Sequence, residues 1–192
     1  MPPKSKSDTG AAGEFYVAAQ LAQRGWAASL LLGNAPRTDI LAQHPSGVQV
    51  GVQSKAANGS SFSIGASSDV PSPAGAREWF VLVSLAEPDT RPDFYVVPRN
   101  VIAAFSWSGH QNWLTTFAKN GSAHRDSSIR NIKKRDLEPY RERWDDLLRP
   151  PDEVPYWFIG GFWEWEAKVG LPPGHPGVVR PSDDFLRTGV AS

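Results

Sequence analysis

The stretch Thr38–Ala57, TDILAQHPSGVQVGVQSKAA, decides the fold of this chain because it predicts two short strands joined by a turn. Valines alternate along the second strand and fill one of its faces, whereas Gln53 and Lys55 share the other face. Asp39 begins the first strand, where aspartate is disfavoured unless it closes the preceding turn. These three polar side chains are candidates for a site that binds a metal ion and a phosphate.

The composition bounds the class of protein. The chain has 192 residues, 40% of them hydrophobic, which is enough for one domain with its own core. It has no cysteine, which excludes disulfides and thiolate zinc sites and fits a reducing cytoplasm. It has no apolar signal region and no apolar run of membrane-spanning length, so we expect a soluble, cytoplasmic protein. The formal net charge is zero, so nucleic-acid binding would need a local basic patch.

The elements around the opening stretch predict one α/β domain over residues 10–149. Residues 1–9 are expected to form a flexible arm, and helical spacing with a glycine stop predicts a helix over 10–24. Five apolar runs of strand length give a sheet of about five strands: 26–32, 39–43, 48–56, 78–85 and 94–97. Between the third and fourth of them, residues 58–75 are rich in Gly, Ser and Pro and predict a long loop or a poorly formed helix.

The second half of the chain is less regular. Pro98-Arg99-Asn100 predicts a strand end and the N-cap of a short helix, and residues 106–131 favour no element. Asp136 is expected to cap a helix with one apolar face, formed by Leu137, Tyr140, Trp144 and Leu148.

The proline-rich and aromatic segment 150–192 is too short for an independent domain. We expect it to be an extension that packs on the core or on a partner subunit. Its tryptophans could instead stack on unpaired bases, but the acids Glu164 and Glu166 between them favour packing.

Three motifs occur in the order of a known family: Gly13-Glu14 in the first helix, Asp39 on the second strand and Gln53-Ser54-Lys55 on the third. This pattern resembles the PD-(D/E)XK nuclease superfamily, in a Gln-x-Lys variant similar to restriction endonuclease-like and Holliday-junction-resolvase-like members. The resemblance covers residues 10–100 and implies a restriction endonuclease-like αβββαβ core with a central mixed sheet. It departs from the pattern at Gln53, where most members have an acid.

The resemblance implies a function and a set of site residues. It implies a magnesium-dependent endonuclease that hydrolyses DNA in restriction, defence or repair, with Mn²⁺ as a substitute ion. The implied catalytic residues are Glu14, Asp39, Gln53 and Lys55, of which Asp39, Gln53 and Glu14 would hold the metal. Since Gln53 carries no negative charge, we expect weaker magnesium binding than with an acid.

Other interpretations of these residues remain open. Taken singly, Glu14 is an ordinary acid near a helix start, Gln53 is a surface amide and Lys55 is a solvated lysine of an edge strand. The fold could also serve as a catalytically weak or inactive module that binds nucleic acid or a protein partner.

The most basic window of the chain runs from residue 119 to 135. Its cations could contact phosphate groups or could form a solvated face: Lys119, Arg125, Arg130, Lys133, Lys134 and Arg135. Coordinated cutting of both strands of a duplex would favour a symmetric homodimer. The four histidines show no spacing typical of a metal site.

Overall fold

The computed structural model of the protein describes residues 6–31, 35–158 and 160–181. In chain order its helices and strands are α1 (Lys6–Gln23), β1 (Ala27–Leu30), β2 (Ile40–Gln43), β3 (Gln49–Ala57), β4 (Ser61–Gly65), β5 (Glu78–Ser84), β6 (Asp93–Pro98), α2 (Arg99–Leu114), β7 (Ile129–Lys133) and α3 (Phe162–Val169). Short 3₁₀ helices cover Ala66–Asp69, Lys134–Tyr140, Trp144–Leu148 and Pro151–Glu153. Within the described ranges, no helix is long and apolar enough to cross a membrane.

A five-stranded mixed sheet forms the centre of the molecule, in the order β1-β2-β3-β5-β6. The pairs β1–β2, β2–β3 and β5–β6 are antiparallel, whereas β3 and β5 are parallel. The expected mixed sheet of about five strands is therefore confirmed. β5 is an unbroken apolar run, and residues 79–83 are fully buried because this strand lies inside the sheet with both faces covered.

The segment that joins β3 to β5 differs from the prediction of a loop or a poorly formed helix. It contains β4, which pairs with β7 in a separate two-stranded antiparallel sheet, followed by the 3₁₀ helix Ala66–Asp69. Phe62 and Ile64 alternate with polar residues along β4 and are buried. This short period-two signal was hidden by the surrounding Gly, Ser and Pro residues, and its partner strand lies far along the chain.

Helix α1 lies unusually close to β3. A Cβ atom added at Gly13 would lie 2.7 Å from the Cβ of Ala56 and 3.3 Å from the Oγ of Ser54. Only glycine allows this approach, which places Glu14 next to the end of β3. The helix also begins earlier than expected, at Lys6, so residues 6–9 of the predicted arm are helical. The first five residues of that arm lie outside the described residues.

Two predictions about helices in the second half were wrong. The helix after β6 is not short, since α2 has 16 residues, and its N-cap is Pro98 rather than a polar side chain. The expected helix after Asp136 is replaced by two 3₁₀ helices. Pro139 lies inside the first of them, and Glu142 between them adopts a left-handed φ of 56°, which a continuous α-helix does not allow. Leu148 is consequently 42% exposed instead of buried.

The described part of the C-terminal segment packs on the same core as the sheet. Phe158 stacks on Phe105 of α2 with ring centroids 4.0 Å apart, and Phe162 is fully buried. The hydroxyl of Tyr140 donates a hydrogen bond to the carbonyl oxygen of Pro155 at 2.8 Å. These contacts continue the core, because Tyr156 and Trp157 belong to the same buried cluster as the sheet residues.

The close approach at Gly13 can be tested with a matched pair of helix variants. Gly13→Ala should lower the free energy of unfolding by about 1–2 kcal/mol, because the clash with Ala56 outweighs the gain in helix propensity. Gly10→Ala, on the same helix with nothing within 4 Å of its added Cβ, should raise it by about 0.5–1 kcal/mol. Urea unfolding measures both values. Equal effects of the two substitutions would contradict the packing described for α1.

Candidate active site

Three charged residues singled out in the sequence lie close together, and the charges of Asp39 and Lys55 both act on Glu14. The pKa of Glu14 is raised above its usual value, first by burial and second by the negative charge of Asp39, while the positive charge of Lys55 acts in the opposite direction. Glu14 comes from α1, Asp39 from the residue before β2 and Lys55 from β3. The fold therefore brings together side chains from three elements that are separate in sequence.

Asp39 lies at this position because β3 extends beyond its neighbour. β2 pairs with β3 only as far as Val52, so the next backbone groups on that flank of β3 have no strand partner. The Oδ2 atom of Asp39 accepts the backbone N–H of Ser54 at 2.8 Å. The carboxylate thus replaces a strand in satisfying a backbone donor. This explains an aspartate at a strand start, and its Oδ1 atom makes no hydrogen bond to any described residue.

Gln53 is held by a buried arginine that the sequence analysis did not identify. The Nη2 atom of Arg99, at the start of α2, donates to the Oε1 atom of Gln53 at 2.7 Å and to the carbonyl oxygen of Arg37 at 3.0 Å. Arg99 is only 1% exposed. Its Nε atom lies 3.2 Å from Oε2 of Glu78 in an ion pair rather than a well-directed hydrogen bond, and Glu78 also pairs with Arg37 at 2.7 Å.

The environment of Arg99 is strongly electrostatic. Burial and the positive charge of Arg37 lower its pKa to about 10, although Glu78 and Asp39 act in the opposite direction. Arg99 therefore remains protonated at neutral pH. Its guanidinium carbon lies 4.7 Å from the ring centroid of Phe80. One sequence signal could have revealed it, since an arginine within the apolar run 94–105 requires a buried partner.

Lys55 lies beyond the end of β2 on the third strand of the sheet. β5 pairs with β3 at Lys55, whereas β2 ends opposite Val52, so no described strand flanks the other side of β3 at this lysine. Its ammonium group forms no salt bridge with a described residue. Lys55 thus remains available to an external anion, beside the carboxylates of Glu14 and Asp39.

The site has few acidic side chains that could bind a metal ion. Among the described residues, no group of three or more His, Cys, Asp or Glu side chains could hold a metal ion. The site offers the two carboxylates of Glu14 and Asp39 together with the amide oxygen of Gln53, which already accepts one hydrogen bond from Arg99. These are hard oxygen donors of the kind that Mg²⁺ prefers.

The basic window 119–135 separates into buried and exposed cations. Arg130 is 8% exposed and pairs with Asp69 at 2.8 Å, so its guanidinium has an internal partner. The Nζ atom of Lys134 donates to the Oγ atom of Ser84 at 2.5 Å, and burial lowers the pKa of this lysine. The remaining four are exposed: Lys119, Arg125, Lys133 and Arg135. Of the six cations in this window, these four have side chains that are exposed to solvent.

Neither a protein-family model nor a curated protein matches the chain. Among solved structures it is similar to the bacterial homing endonuclease I-Ssp6803I, with 16% identity over 76% of this chain and 93% of that one, and a TM-score of 0.46. It is also similar to the Holliday junction resolvase Hjc of Archaeoglobus fulgidus, with 14% identity over 65% of this chain and 84% of that one, and a TM-score of 0.38. Both of these proteins are nucleases by name.

The proximity of the three charges predicts how Glu14 titrates. Asp39→Asn should lower the pKa of Glu14, because a neighbouring negative charge is removed, while the amide oxygen can still accept the Ser54 N–H. Lys55→Met should raise it further, because a neighbouring positive charge is removed. NMR titration of the glutamate carboxyl carbons measures both shifts. Lys168→Met is a control away from the site, and a Glu14 pKa unchanged by either site variant would refute the geometry.

The buried guanidinium predicts a large effect on stability. Arg99→Met should lower the free energy of unfolding by about 3 kcal/mol, since Glu78 loses a buried partner and Gln53 loses its donor. Arg99→Lys should be less damaging but still destabilising, because an ammonium cannot reproduce the planar fork. The exposed Arg125→Met is the matched control, with an expected change within about 0.5 kcal/mol. Chemical denaturation tests the set, and wild-type stability of Arg99→Met would contradict the network.

Proposed function

We propose that this chain is a metal-dependent nuclease that hydrolyses DNA phosphodiester bonds, as an endonuclease of restriction, defence or repair. The observation that supports it is the proximity of Asp39 and Lys55 to Glu14, whose pKa both charges affect, at the open flank of β3. Phosphodiester hydrolysis requires an activated water, neutralisation of charge on the phosphoryl oxygens and a stabilised leaving oxygen. Two carboxylates beside an uncommitted ammonium group offer the residue types that these tasks need.

The residues present fit one divalent cation. The negative charge of Asp39 contributes to the raised pKa of Glu14, and a cation held between two such carboxylates would offset their repulsion. Asp39 and Glu14 would be the anionic ligands, and the amide oxygen of Gln53 a neutral one. When bound, Mg²⁺, or Mn²⁺ in its place, supplies a water of lowered pKa and positive charge for the phosphate. With two acids in the set, we propose a single weakly held ion that keeps several waters.

Lys55 and Arg99 have different roles in this proposal. Lys55 is a compact positive charge with three donors, and it would bind a phosphoryl oxygen or orient the attacking water. Arg99 is buried and would act only through Gln53, whose amide oxygen it holds in place at 2.7 Å. We therefore propose Lys55 as a catalytic residue and Arg99 as a positioning residue.

A second candidate function is supported by Gln53. Its amide oxygen is already engaged by Arg99, and no cluster of three acids or histidines accompanies it in the described part of the chain. A site of this kind is consistent with a catalytically weak or inactive nuclease fold that binds nucleic acid or a protein partner. Metal binding separates the two candidates.

The test combines metal binding with cleavage. If the chain is a nuclease, Mg²⁺ or Mn²⁺ at ten times its dissociation constant should stabilise the protein by about 1.4 kcal/mol, and Asp39→Asn should remove most of this effect. The same variant and Lys55→Ala should each reduce the cleavage rate of plasmid or single-stranded DNA by about a hundredfold. Lys168→Ala, whose ammonium group contacts Thr115 instead, should cleave like the wild type.

Each outcome discriminates between the candidates. Cleavage unaffected by Lys55→Ala would overturn the site assignment. A wild-type protein that is neither stabilised by a divalent ion nor able to cut either DNA would favour the non-catalytic module.

A further inference from the structure

A cavity lies away from the candidate active site. It has a volume of about 620 Å³ and opens between the last turns of α2, strand β7 and the residues around the start of α3. Arg99 touches Gln53 at the first residue of α2, whereas Phe105, the first residue of α2 in the cavity wall, follows six residues later. At 1.5 Å per residue, the two sites are separated by roughly 9 Å along the helix. Its volume is in the usual range for a site that encloses a small ligand.

One wall of the cavity is a fixed indole. Cβ atoms added at Gly109 and at Gly161 would each come within 3.0 Å of the Trp165 ring, so both positions leave space for that ring. The ring of Phe105 meets Trp165 edge to face, with centroids 5.1 Å apart. Trp165 is therefore held from several sides and presents a rigid aromatic surface. The sequence favoured a packing role for the C-terminal tryptophans because acids lie between them. Trp165 does pack, and it also lines the cavity.

The rim of the cavity carries a second indole. Trp113 is 39% exposed and stacks on His124, with ring centroids 3.9 Å apart. Below it, His110 is buried and its Nε2 atom lies 2.8 Å from Oδ1 of Asp126. Two tryptophans therefore line the cavity, one inside and one partly exposed at the rim, as in sites that bind planar rings by stacking.

Three cationic side chains line the cavity beside these rings, and two of them have an acidic partner. Arg130 also lines the cavity, but Asp69 neutralises it. Lys133 is exposed and has no salt bridge with a described residue. The side chain of Arg135 is 76% exposed, and its Nε atom lies 3.4 Å from Oδ1 of Asp136, which also lines the cavity; its two terminal nitrogens make no hydrogen bond to a described residue. The cavity thus combines aromatic walls with cationic groups at its edge.

We propose that this cavity binds an unpaired nucleotide of a nucleic-acid strand. The base would stack on Trp113 at the rim, with the indole of Trp165 as part of the inner wall, and the adjacent phosphates would face Lys133 and Arg135. Aromatic faces with nearby cations are the chemistry by which proteins hold unpaired nucleotides. A paired base cannot reach into this cavity without leaving its stack, so the site would select single-stranded or distorted regions. The proposal does not depend on cleavage at the first site.

The test measures binding that depends on the base. Fluorescence anisotropy in EDTA, where no metal supports cutting, compares a labelled single-stranded decadeoxynucleotide with the same strand in which the central nucleotides are abasic. The wild-type protein should bind the strand with bases about tenfold more tightly. Trp113→Ala should abolish this difference, because it removes a stacking surface at the rim. The exposed Phe117→Ala, close in sequence but outside the cavity wall, should preserve it.

The cations are tested in the same assay. The double variant Lys133→Ala/Arg135→Ala should weaken binding of both strands. Its remaining binding should depend less steeply on salt concentration than that of the wild type, because fewer phosphate groups are neutralised. Lys168→Ala should change neither strand. A wild-type protein that binds both strands equally, or a Trp113→Ala protein that keeps the full difference, would overturn the proposal. Thermal unfolding confirms that each variant is folded, and a failure of DNA cleavage by the wild type would leave this result unaffected.

Discussion

A buried guanidinium joins the parts of the chain that build the candidate active site. Arg99 contacts the side chain of Gln53 on β3, the carboxylate of Glu78 on β5 and the backbone of Arg37 before β2. A charged side chain that is buried away from water requires such partners. Arg99 therefore holds these three segments in one arrangement. Arg37 itself has a φ of 70°, an unfavourable conformation for a non-glycine residue, and its side chain is fixed by Glu78. The position of Asp39, two residues later, follows from this network rather than from β2 alone.

This arrangement gives the site an unusual division of charge. In a site with three acids, a metal ion would be the natural counter-charge, whereas here a protein cation already engages Gln53, the neutral ligand that we propose. The site therefore keeps its shape through internal hydrogen bonds, and a divalent ion would have to satisfy only Asp39 and Glu14 as anionic ligands. Pre-organisation of this kind lowers the reorganisation needed when a charged substrate arrives.

The strands of the sheet could be predicted from the sequence, whereas most side-chain contacts around the sheet could not. The unbroken apolar run of β5 and the alternation on β3 determine strands by themselves, because burial on one or two faces has a period that can be read locally. Residue type and order also singled out Glu14, Asp39 and Lys55. Arg99 was missed because its partners lie on other strands, and the roles of Arg130 and Lys134 depended on Asp69 and Ser84, which are distant in sequence. Such pairings arise only when the chain is folded.

The pairing of β4 with β7 has a consequence for the order of folding. α1 and the first three strands are consecutive in sequence and can meet through short loops, whereas Gly65 must find Ile129 across the rest of the sheet and α2. Closing a long loop costs more entropy, and contacts distant in sequence slow folding. We therefore expect the N-terminal unit to form first during synthesis, with β4 left as an unpaired strand until β7 has emerged. Strand β4 would therefore be the last part of the N-terminal half to become protected from proteases and from pairing with other chains.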